Sequence, residues 1–182
     1  MEEQILSSET IYKGKVLNLR IDSVRFPSGR EGKREIVEHR DAVTLLPIDA
    51  DGRLLLIRQF RLAAGQVLLE APAGIVDPGE SPKETAHREL REETGFDCRT
   101  LEPLLRFYPA PGFSEEFMHS FVASDLFEST ADPDDDENIE LARYSLDEAV
   151  ELIATGEIID AKTICVVLAY KLRLHTARSG AD

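Results

Sequence analysis

Glu89, Glu92 and Glu93 are the residues of this sequence whose types and spacing are best suited to chemistry. In a helix, offsets of three and four residues bring side chains onto one face, so a helix here would crowd the three carboxylates together. Like charges at this spacing repel, and a hard divalent cation such as Mg²⁺ or Mn²⁺ removes the repulsion by accepting oxygen ligands. A solvated acidic face is the alternative, and the flanking residues decide between the two.

The helix that would carry these glutamates has clear start and end signals. Ser81 is a suitable N-cap, with Pro82 at the first helical position and Glu84 three residues after the cap. Gly95 is a suitable left-handed C-cap. The sequence therefore predicts a helix over about residues 82–94, preceded by a turn-forming loop that begins at Gly74.

The whole stretch from Gly74 to Phe96 reads GIVDPGESPKETAHRELREETGF. As a pattern, it is a glycine, five residues, Glu80, seven residues and then REL-x-EE-x-GF. It matches every fixed position of the signature box of the Nudix hydrolases, which cleave nucleoside diphosphates linked to another group. The resemblance implies the α/β Nudix fold, an α/β/α sandwich with a mixed sheet.

The resemblance also implies roles for individual residues. Glu89 and Glu93 match the principal metal-binding carboxylates of the box, and Glu92 matches a supporting ligand. The backbone carbonyl of Ala73, just before the box, matches a further metal contact. The implied cofactor is Mg²⁺, with Mn²⁺ as a substitute.

Several arginines are candidates to bind the substrate or to hold the site together. Arg58 and Arg61 lie at the end of a predicted strand, and the planar guanidinium suits phosphate oxygens. Glu70 is a candidate to hold one of them in place. The resemblance further implies that Glu80 and Arg88 form a structural pair between loop and helix. An ordinary surface charge is the alternative for an arginine at a strand end.

The loop over residues 110–116 suggests the substrate. Pro111 lies 15 residues beyond the end of the box, which resembles the ADP-ribose pyrophosphatase branch of the family. Pro111 and Gly112 fix a loop shape, and Phe113 offers a flat face to a base or ribose. The implied reaction is hydrolysis of ADP-ribose to AMP and ribose 5-phosphate. The alternatives are another nucleotide sugar such as GDP-mannose, or a non-catalytic nucleotide-sensing module.

The acidic run from Asp132 to Glu140 is by composition a solvated loop. In ADP-ribose pyrophosphatases, a loop at this point closes over the substrate and delivers a carboxylate. Glu137 is the best match for that catalytic or metal-binding residue, followed by Asp135. The resemblance leaves the general base open between Glu137 and a glutamate of the box.

Residues 1–40 read as a small N-terminal antiparallel β region, because apolar and polar residues alternate from Lys15 to Phe26. Such a region has too few apolar residues to fold alone. In the resembling enzymes it joins a dimer interface and reaches the partner's site. We therefore predict a homodimer, with Arg34 and Glu35 as substrate-binding candidates. An ordinary meander on the same subunit is the alternative.

The remaining region, 41–178, is expected to be the Nudix domain. Its predicted helices cover residues 82–94, 146–155 and 161–174, followed by a frayed tail. Its predicted strands cover residues 42–48, 53–60, 67–71, 104–108, 118–123 and 139–144.

Composition excludes several other classes of protein. The net charge of −14 without a dense basic patch argues against nucleic-acid binding. No apolar run approaches the length of a membrane span, and no signal peptide is recognisable. Cys98 and Cys165 form no disulfide framework or zinc motif, so we predict a cytoplasmic protein. The four histidines show no metal-ligand spacing and are expected to be ordinary residues.

Overall fold

The structure is a computed structural model that describes residues 2–129 and 139–179. In chain order its elements are β1 (Gln4–Lys13), β2 (Leu17–Arg25), β3 (Glu31–His39), β4 (Ala42–Pro47), β5 (Leu54–Arg61), β6 (Gln66–Glu70), β7 (Ala73–Ile75), α1 (Pro82–Thr94), β8 (Phe96–Phe107), β9 (Met118–Glu128), β10 (Ile139–Tyr144), α2 (Leu146–Thr155) and α3 (Ala161–Ser179).

The chain forms two compact units. The first comprises Met1–Asp41 with Phe107–Phe117, and the second comprises Ala42–Arg106 with Met118–Asp182. The division inferred from the sequence, 1–40 and 41–178, stays a prediction about separate domains.

The first unit contains a three-stranded antiparallel sheet in the order β1-β2-β3. Two backbone hydrogen bonds attach the second segment of this unit to β3. Val37 N donates to Phe113 O over 2.7 Å, and Glu115 N donates to Val37 O over 3.0 Å. The loop that carries Phe113 is therefore held along the same strand that carries Arg34 and Glu35.

The second unit contains two sheets. The four-stranded sheet has the order β7-β4-β9-β8 and is mixed, because β4 pairs with β9 in parallel and with β7 in antiparallel orientation. The three-stranded sheet has the order β10-β5-β6 with antiparallel pairing. The mixed sheet and its accompanying helices agree with the predicted α/β class.

Strand β4 separates two hydrophobic clusters, because successive side chains of a strand point to opposite faces. Val43 and Leu45 pack with Ala86 and Leu90 of α1 in one cluster. Leu46 belongs to the other cluster, with buried residues of β5, β6, α2 and α3. Burial of Ala86 and Leu90 fixes the rotation of α1, and thereby which of its residues face the loop before it.

Several elements differ from the prediction, including β8, which begins at Phe96 instead of residue 104, and β9, which continues to Glu128 instead of ending at residue 123. Strand β1 was not predicted, because every one of its residues is exposed and burial imposes no alternating pattern on it. Strand β7 has only three residues and lies in what the sequence predicted to be loop. Helix α3 continues to Ser179, beyond the predicted end at residue 174.

Over the part of the chain that the structure describes, no helix is both long and apolar enough to cross a membrane.

Candidate active site

Helix α1 begins and ends where the sequence predicted. The Ser81 hydroxyl accepts from Glu84 N, the Glu84 carboxylate accepts from Ser81 N, and Pro82 opens the helix. Gly95 closes it with a φ of 75°, a left-handed conformation that favours glycine. These caps set the register of α1, and the register sets the direction of every carboxylate on it.

Glu89 lies directly against β7. A Cβ atom added to Gly74 would stand 1.8 Å from Glu89 Oε1 and 1.9 Å from its Cδ. No side chain other than glycine's hydrogen fits this approach, so the first glycine of the box is explained by the glutamate it faces. Glu89 is only 9% exposed.

Glu93 is fixed by the same backbone segment. Its Oε2 accepts a hydrogen bond from Ala73 N over 2.9 Å, which joins α1 to β7. Glu93 is 7% exposed. An ionised carboxylate is expensive to bury unless hydrogen bonds, ion pairs or a metal ion compensate it. Glu89 and Glu93 thus form a nearly buried acidic pair on the backbone of residues 73–74.

Arg88 joins the loop to the helix through a fan of hydrogen bonds. Its Nη2 lies 3.1 Å from Glu80 Oε2 and donates to Ile75 O over 3.1 Å, so the predicted Glu80–Arg88 pair is present. Its Nη1 donates to Glu89 Oε1 over 2.7 Å and to Glu92 Oε2 over 2.9 Å, which the sequence did not predict. The arginine therefore offsets part of the repulsion between these acidic groups.

Electrostatics in this fan favour the charged forms. Hydrogen bonds from Arg88 and from the Thr85 hydroxyl hold the pKa of Glu80 below its usual value. Burial works against the charge of Arg88, but Glu80, Glu89 and Glu92 together raise the pKa of its guanidinium. The loop and helix are thus tied by ionised groups at neutral pH.

Arg61 and Glu70 form a second charged group beside the box. Arg61 Nε and Nη2 donate to the two oxygens of Glu70 over 2.9 and 2.8 Å, which confirms the prediction that Glu70 holds one of the arginines. Glu70 is 1% exposed and also accepts from Lys162 Nζ. The hydrogen bonds and charge of Glu70 raise the pKa of Arg61, and the charge of Glu93 raises it further. Arg61 therefore interacts electrostatically with a carboxylate of the box.

Arg58 takes a different direction from Arg61. The two are three residues apart on β5 and therefore lie on opposite faces of the strand. Arg58 Nη2 donates to the Tyr144 hydroxyl over 2.7 Å. The structure does not bring these two predicted substrate-binding arginines together.

Lys162 is the charged residue of this site that the sequence did not indicate. It lies in the first turn of α3 and reaches both Glu70 and Asp160, the latter over 3.1 Å. Thr163, its neighbour, accepts from Ala71 N over 2.7 Å and so anchors α3 to the segment before β7. No local motif marks the contacts with Glu70 and Ala71, because each of these partners is 92 positions earlier in the chain.

The other predicted substrate-binding residues belong to the first unit. Arg34 Nη2 lies 2.6 Å from Glu3 Oε1, and its guanidinium covers the ring of Phe26 at 4.9 Å. Glu35 is exposed on the same strand. In the attached loop, which carries the predicted residues Pro111 and Gly112, Phe113 is 57% exposed.

Glu137 and Asp135 lie outside the described residues. The first described residue after them, Ile139, pairs with Gln59 in the β10–β5 ladder.

Comparison with known proteins defines the class to which this fold and site belong. The NUDIX domain matches residues 38–166, and the nucleoside diphosphate sugar hydrolase N-terminal domain matches residues 3–37. The chain therefore belongs to the Nudix family of hydrolases. Members of this family generally use divalent metals.

Individual relatives are similar to this protein over nearly the whole chain. The chain is 37% identical over 175 residues to the ADP-ribose pyrophosphatase of Bacillus subtilis (strain 168), with 95% of each chain covered. It is 38% identical over 174 residues to the methanol dehydrogenase activator of Bacillus methanolicus, with 94% of each covered. The crystal structure of an ADP compounds hydrolase matches with a TM-score of 0.88 at 27% identity, covering 97% of this chain and 96% of that one. The predicted Nudix fold is thereby confirmed.

Proposed function

We propose that this chain hydrolyses the diphosphate of ADP-ribose to AMP and ribose 5-phosphate in a Mg²⁺-dependent reaction. The observation that carries the proposal is the nearly buried pair Glu89 and Glu93, held against the backbone of residues 73–74. The similarity to an ADP-ribose pyrophosphatase and to an ADP compounds hydrolase supports the choice of substrate.

The donor set fits a hard divalent cation. Glu89 and Glu93, with Glu92 and the carbonyl of Ala73 as further proposed ligands, offer only oxygen atoms, which Mg²⁺ and Mn²⁺ prefer. When bound, the cation supplies Lewis-acid stabilisation for charge on the phosphate oxygens. Arg88 holds the Glu89 and Glu92 carboxylates in place by hydrogen bonds and so limits the rearrangement that binding requires.

Arg61 is the proposed contact to the diphosphate in the second unit. Glu70 engages its Nε and Nη2 atoms, which orients the guanidinium and leaves the Nη1 group for a phosphate oxygen. Since Glu70 is almost fully buried and also contacts Lys162, the orientation is held by groups that solvent does not reach easily. Arg61 therefore meets its substrate already ordered, which reduces the entropy lost on binding.

The candidate substrate-binding residues of the first unit lie on its loop and on β3. Phe113 presents an exposed ring suited to stacking on a base, and Pro111 and Gly112 shape its loop. Arg34 and Glu35 offer a donor and an acceptor on the strand to which the loop is attached.

The proposed general base is either Glu137 or one of the glutamates of the box. Glu137 is proposed because the resemblance implies a carboxylate from this loop. The box glutamates Glu89, Glu92 and Glu93 are the alternative, because Glu92 is only half-buried and can accept a proton from water.

We also propose that the chain acts as a homodimer in the cytoplasm. Strand β1, the turn after it and the start of β2 expose several large apolar side chains, namely Ile5, Leu6, Ile11, Tyr12, Val16 and Leu17. An exposed apolar set of this kind is stabilised when another surface covers it. Light scattering at micromolar concentration should give twice the chain mass, and a monomer would refute the assembly. Both cysteines are free, as expected in a reducing compartment.

A nucleotide-sugar panel tests the proposed reaction. Each substrate is incubated with the chain and Mg²⁺, then with a phosphatase that releases phosphate only from the cleaved products. We expect the highest kcat/KM with ADP-ribose and a large loss in Glu93→Gln. Faster turnover of GDP-mannose would identify GDP-mannose, instead of ADP-ribose, as the substrate. No turnover of any diphosphate would favour a nucleotide-sensing module.

A further inference from the structure

A second group of potential metal ligands lies on the side of α1 away from the acidic pair. It consists of His87 on the helix and Asp97 and Cys98 at the start of β8. Because each helical residue advances by about 100°, His87 projects about 200° around the axis from Glu89. No motif in the sequence indicates this group, because the rest of the helix and its C-cap separate His87 from the other two residues.

The atoms of this group are close enough to share one ion. His87 Nδ1 lies 2.6 Å from Asp97 Oδ1 and 3.9 Å from Cys98 Sγ, and all three ligand atoms lie within 4.8 Å of one another. Tetrahedral zinc bonds of about 2.0–2.3 Å would separate such ligands by roughly 3.3–3.8 Å. The sulfur and nitrogen are near that spacing already, and the imidazole and carboxylate need to separate by about 1 Å.

The surrounding contacts orient the ligands and leave a way in. Asp97 Oδ1 accepts from Cys98 N over 2.7 Å, and Asp97 Oδ2 accepts from Arg91 Nη1 over 2.9 Å. Cys98 is 5% exposed, whereas the His87 side chain is 36% exposed. The group is therefore fixed on its inner side and open to solvent at the imidazole.

The chemistry of the donors differs from that of the box. One nitrogen, one sulfur and one oxygen suit a borderline cation such as Zn²⁺ or Co²⁺, whereas Mg²⁺ prefers oxygen alone. Burial, together with the charge of Asp97, raises the pKa of the Cys98 thiol to about 11. A bound cation would have to offset that cost. The thiol proton would leave to solvent as the metal–sulfur bond forms. The hydrogen bond between His87 Nδ1 and Asp97 Oδ1 would also break, and its proton would pass through solvent to Nε2, so that the Nδ1 lone pair can bind the ion.

We propose that His87, Asp97 and Cys98 form a binding site for Zn²⁺ or a similar borderline divalent cation, separate from the carboxylates of the box. An ion there links the middle of α1 to β8. It therefore stabilises the helix that carries Glu89 and Glu93 without occupying their oxygens.

Cobalt spectroscopy on the full chain tests this site directly. The protein is stripped with chelator, supplied with excess Mg²⁺ to fill oxygen-only sites, and titrated with Co²⁺. We expect a thiolate-to-cobalt charge-transfer band that saturates at one Co²⁺ per chain. Zn²⁺ should then abolish the band, because zinc binds such ligands more tightly than cobalt.

Matched cysteine variants assign the band to a residue. Cys165 lies on α3 and is the only other cysteine in the chain, so Cys165→Ser should retain the band. Cys98→Ala should lose it. His87→Gln, a substitution at a half-exposed position, should weaken Co²⁺ binding by at least about 10–100-fold, the loss that even an outer hydrogen-bond partner of a metal ligand can produce.

The opposite pattern would overturn the proposal. No thiolate band in the parent protein would show that the group is an ordinary histidine–aspartate pair beside a core cysteine. A band that survives Cys98→Ala but not Cys165→Ser would place metal binding elsewhere. Unchanged Co²⁺ affinity in His87→Gln would remove the imidazole from the site.

Discussion

Replacing Gly74 with alanine is the substitution whose consequence follows most directly from the geometry. The added Cβ would lie 1.8 Å from Glu89 Oε1, and ordinary contact begins at 3.4 Å. Either the carboxylate or the loop must therefore shift by about 1.6 Å to restore van der Waals separation. Because Arg88 also holds that carboxylate at 2.7 Å, the shift disturbs the whole acidic group.

The expected loss of activity is large, whereas the expected loss of stability is small. A misplacement of about 1 Å can cost on the order of 10²-fold in rate, so Gly74→Ala should lose at least that factor in kcat. This corresponds to about 2.7 kcal/mol of activation free energy. Gly74 has no positive φ, and the atoms that the added Cβ would meet lie at the end of a flexible side chain. The free energy of unfolding should therefore fall by an amount near the lower end of the about 1–3 kcal/mol that overpacking costs.

The assay is ADP-ribose hydrolysis over a range of Mg²⁺ concentrations, with thermal unfolding measured on the same samples. Gly79→Ala is the matched control in the loop between β7 and α1, since Gly79 has a φ of 93° and open space where a Cβ would lie. It should lose stability through backbone strain and keep most of its turnover. A Gly74→Ala protein with near-parental kcat would refute the proposed link between Gly74 and Glu89.

Two further substitutions test the charged groups around the site. Glu70→Gln should destabilise the fold by about 3–5 kcal/mol, because it leaves Arg61 and Lys162 without their buried carboxylate. Burial opposes the charge of Glu70, but Arg61 and Lys162 outweigh it and lower the pKa of Glu70 in the folded chain. The ionised Glu70 carboxylate therefore stabilises the fold fully above the usual carboxyl pKa of 4.5, and this stabilisation is lost as the pH falls through the pKa of Glu70 in the folded chain. Urea unfolding of parent and variant between pH 7 and about pH 3 checks this, and a constant difference in stability would contradict it. Glu137→Gln should reduce kcat by about 10²–10⁴-fold with nearly unchanged ADP-ribose affinity, measured by calorimetry, and near-normal turnover would return the role of base to the box, including Glu93.

The sequence could predict those element boundaries and site contacts that depend on interactions between residues close together in the chain. The ends of α1 were predictable because caps act within a few residues, as Ser81 does with Glu84. The Glu80–Arg88 pair was predictable because both residues belong to one motif. Lys162 was not, because its contact with Glu70 depends on how α3 packs, and packing leaves no spacing in the sequence.

Strand β1 and the contact between His87 and Cys98 could not be predicted from the sequence, for two different reasons. Strand β1 has no buried residue, so no hydrophobic alternation marks it, although it pairs with β2 along its length. The contact between His87 and Cys98 was not predictable, because neither residue belongs to a spaced ligand motif. The αL turn at Gly95 brings the start of β8 back beside the helix, and that reversal places the two residues together.

Metal dependence of hydrolysis in the parent chain and in Glu93→Gln is the most direct test of the central claim, that Glu89 and Glu93 hold the divalent cation that the reaction needs. Each protein is stripped with chelator, returned to Mg²⁺ in steps and assayed for AMP release from ADP-ribose. The parent should be inactive without metal and recover fully, whereas Glu93→Gln should need more Mg²⁺ and remain slower at saturation, because it lacks a charge directed at the ion. Full turnover of the stripped parent, or an unchanged Mg²⁺ response in Glu93→Gln, would contradict the account.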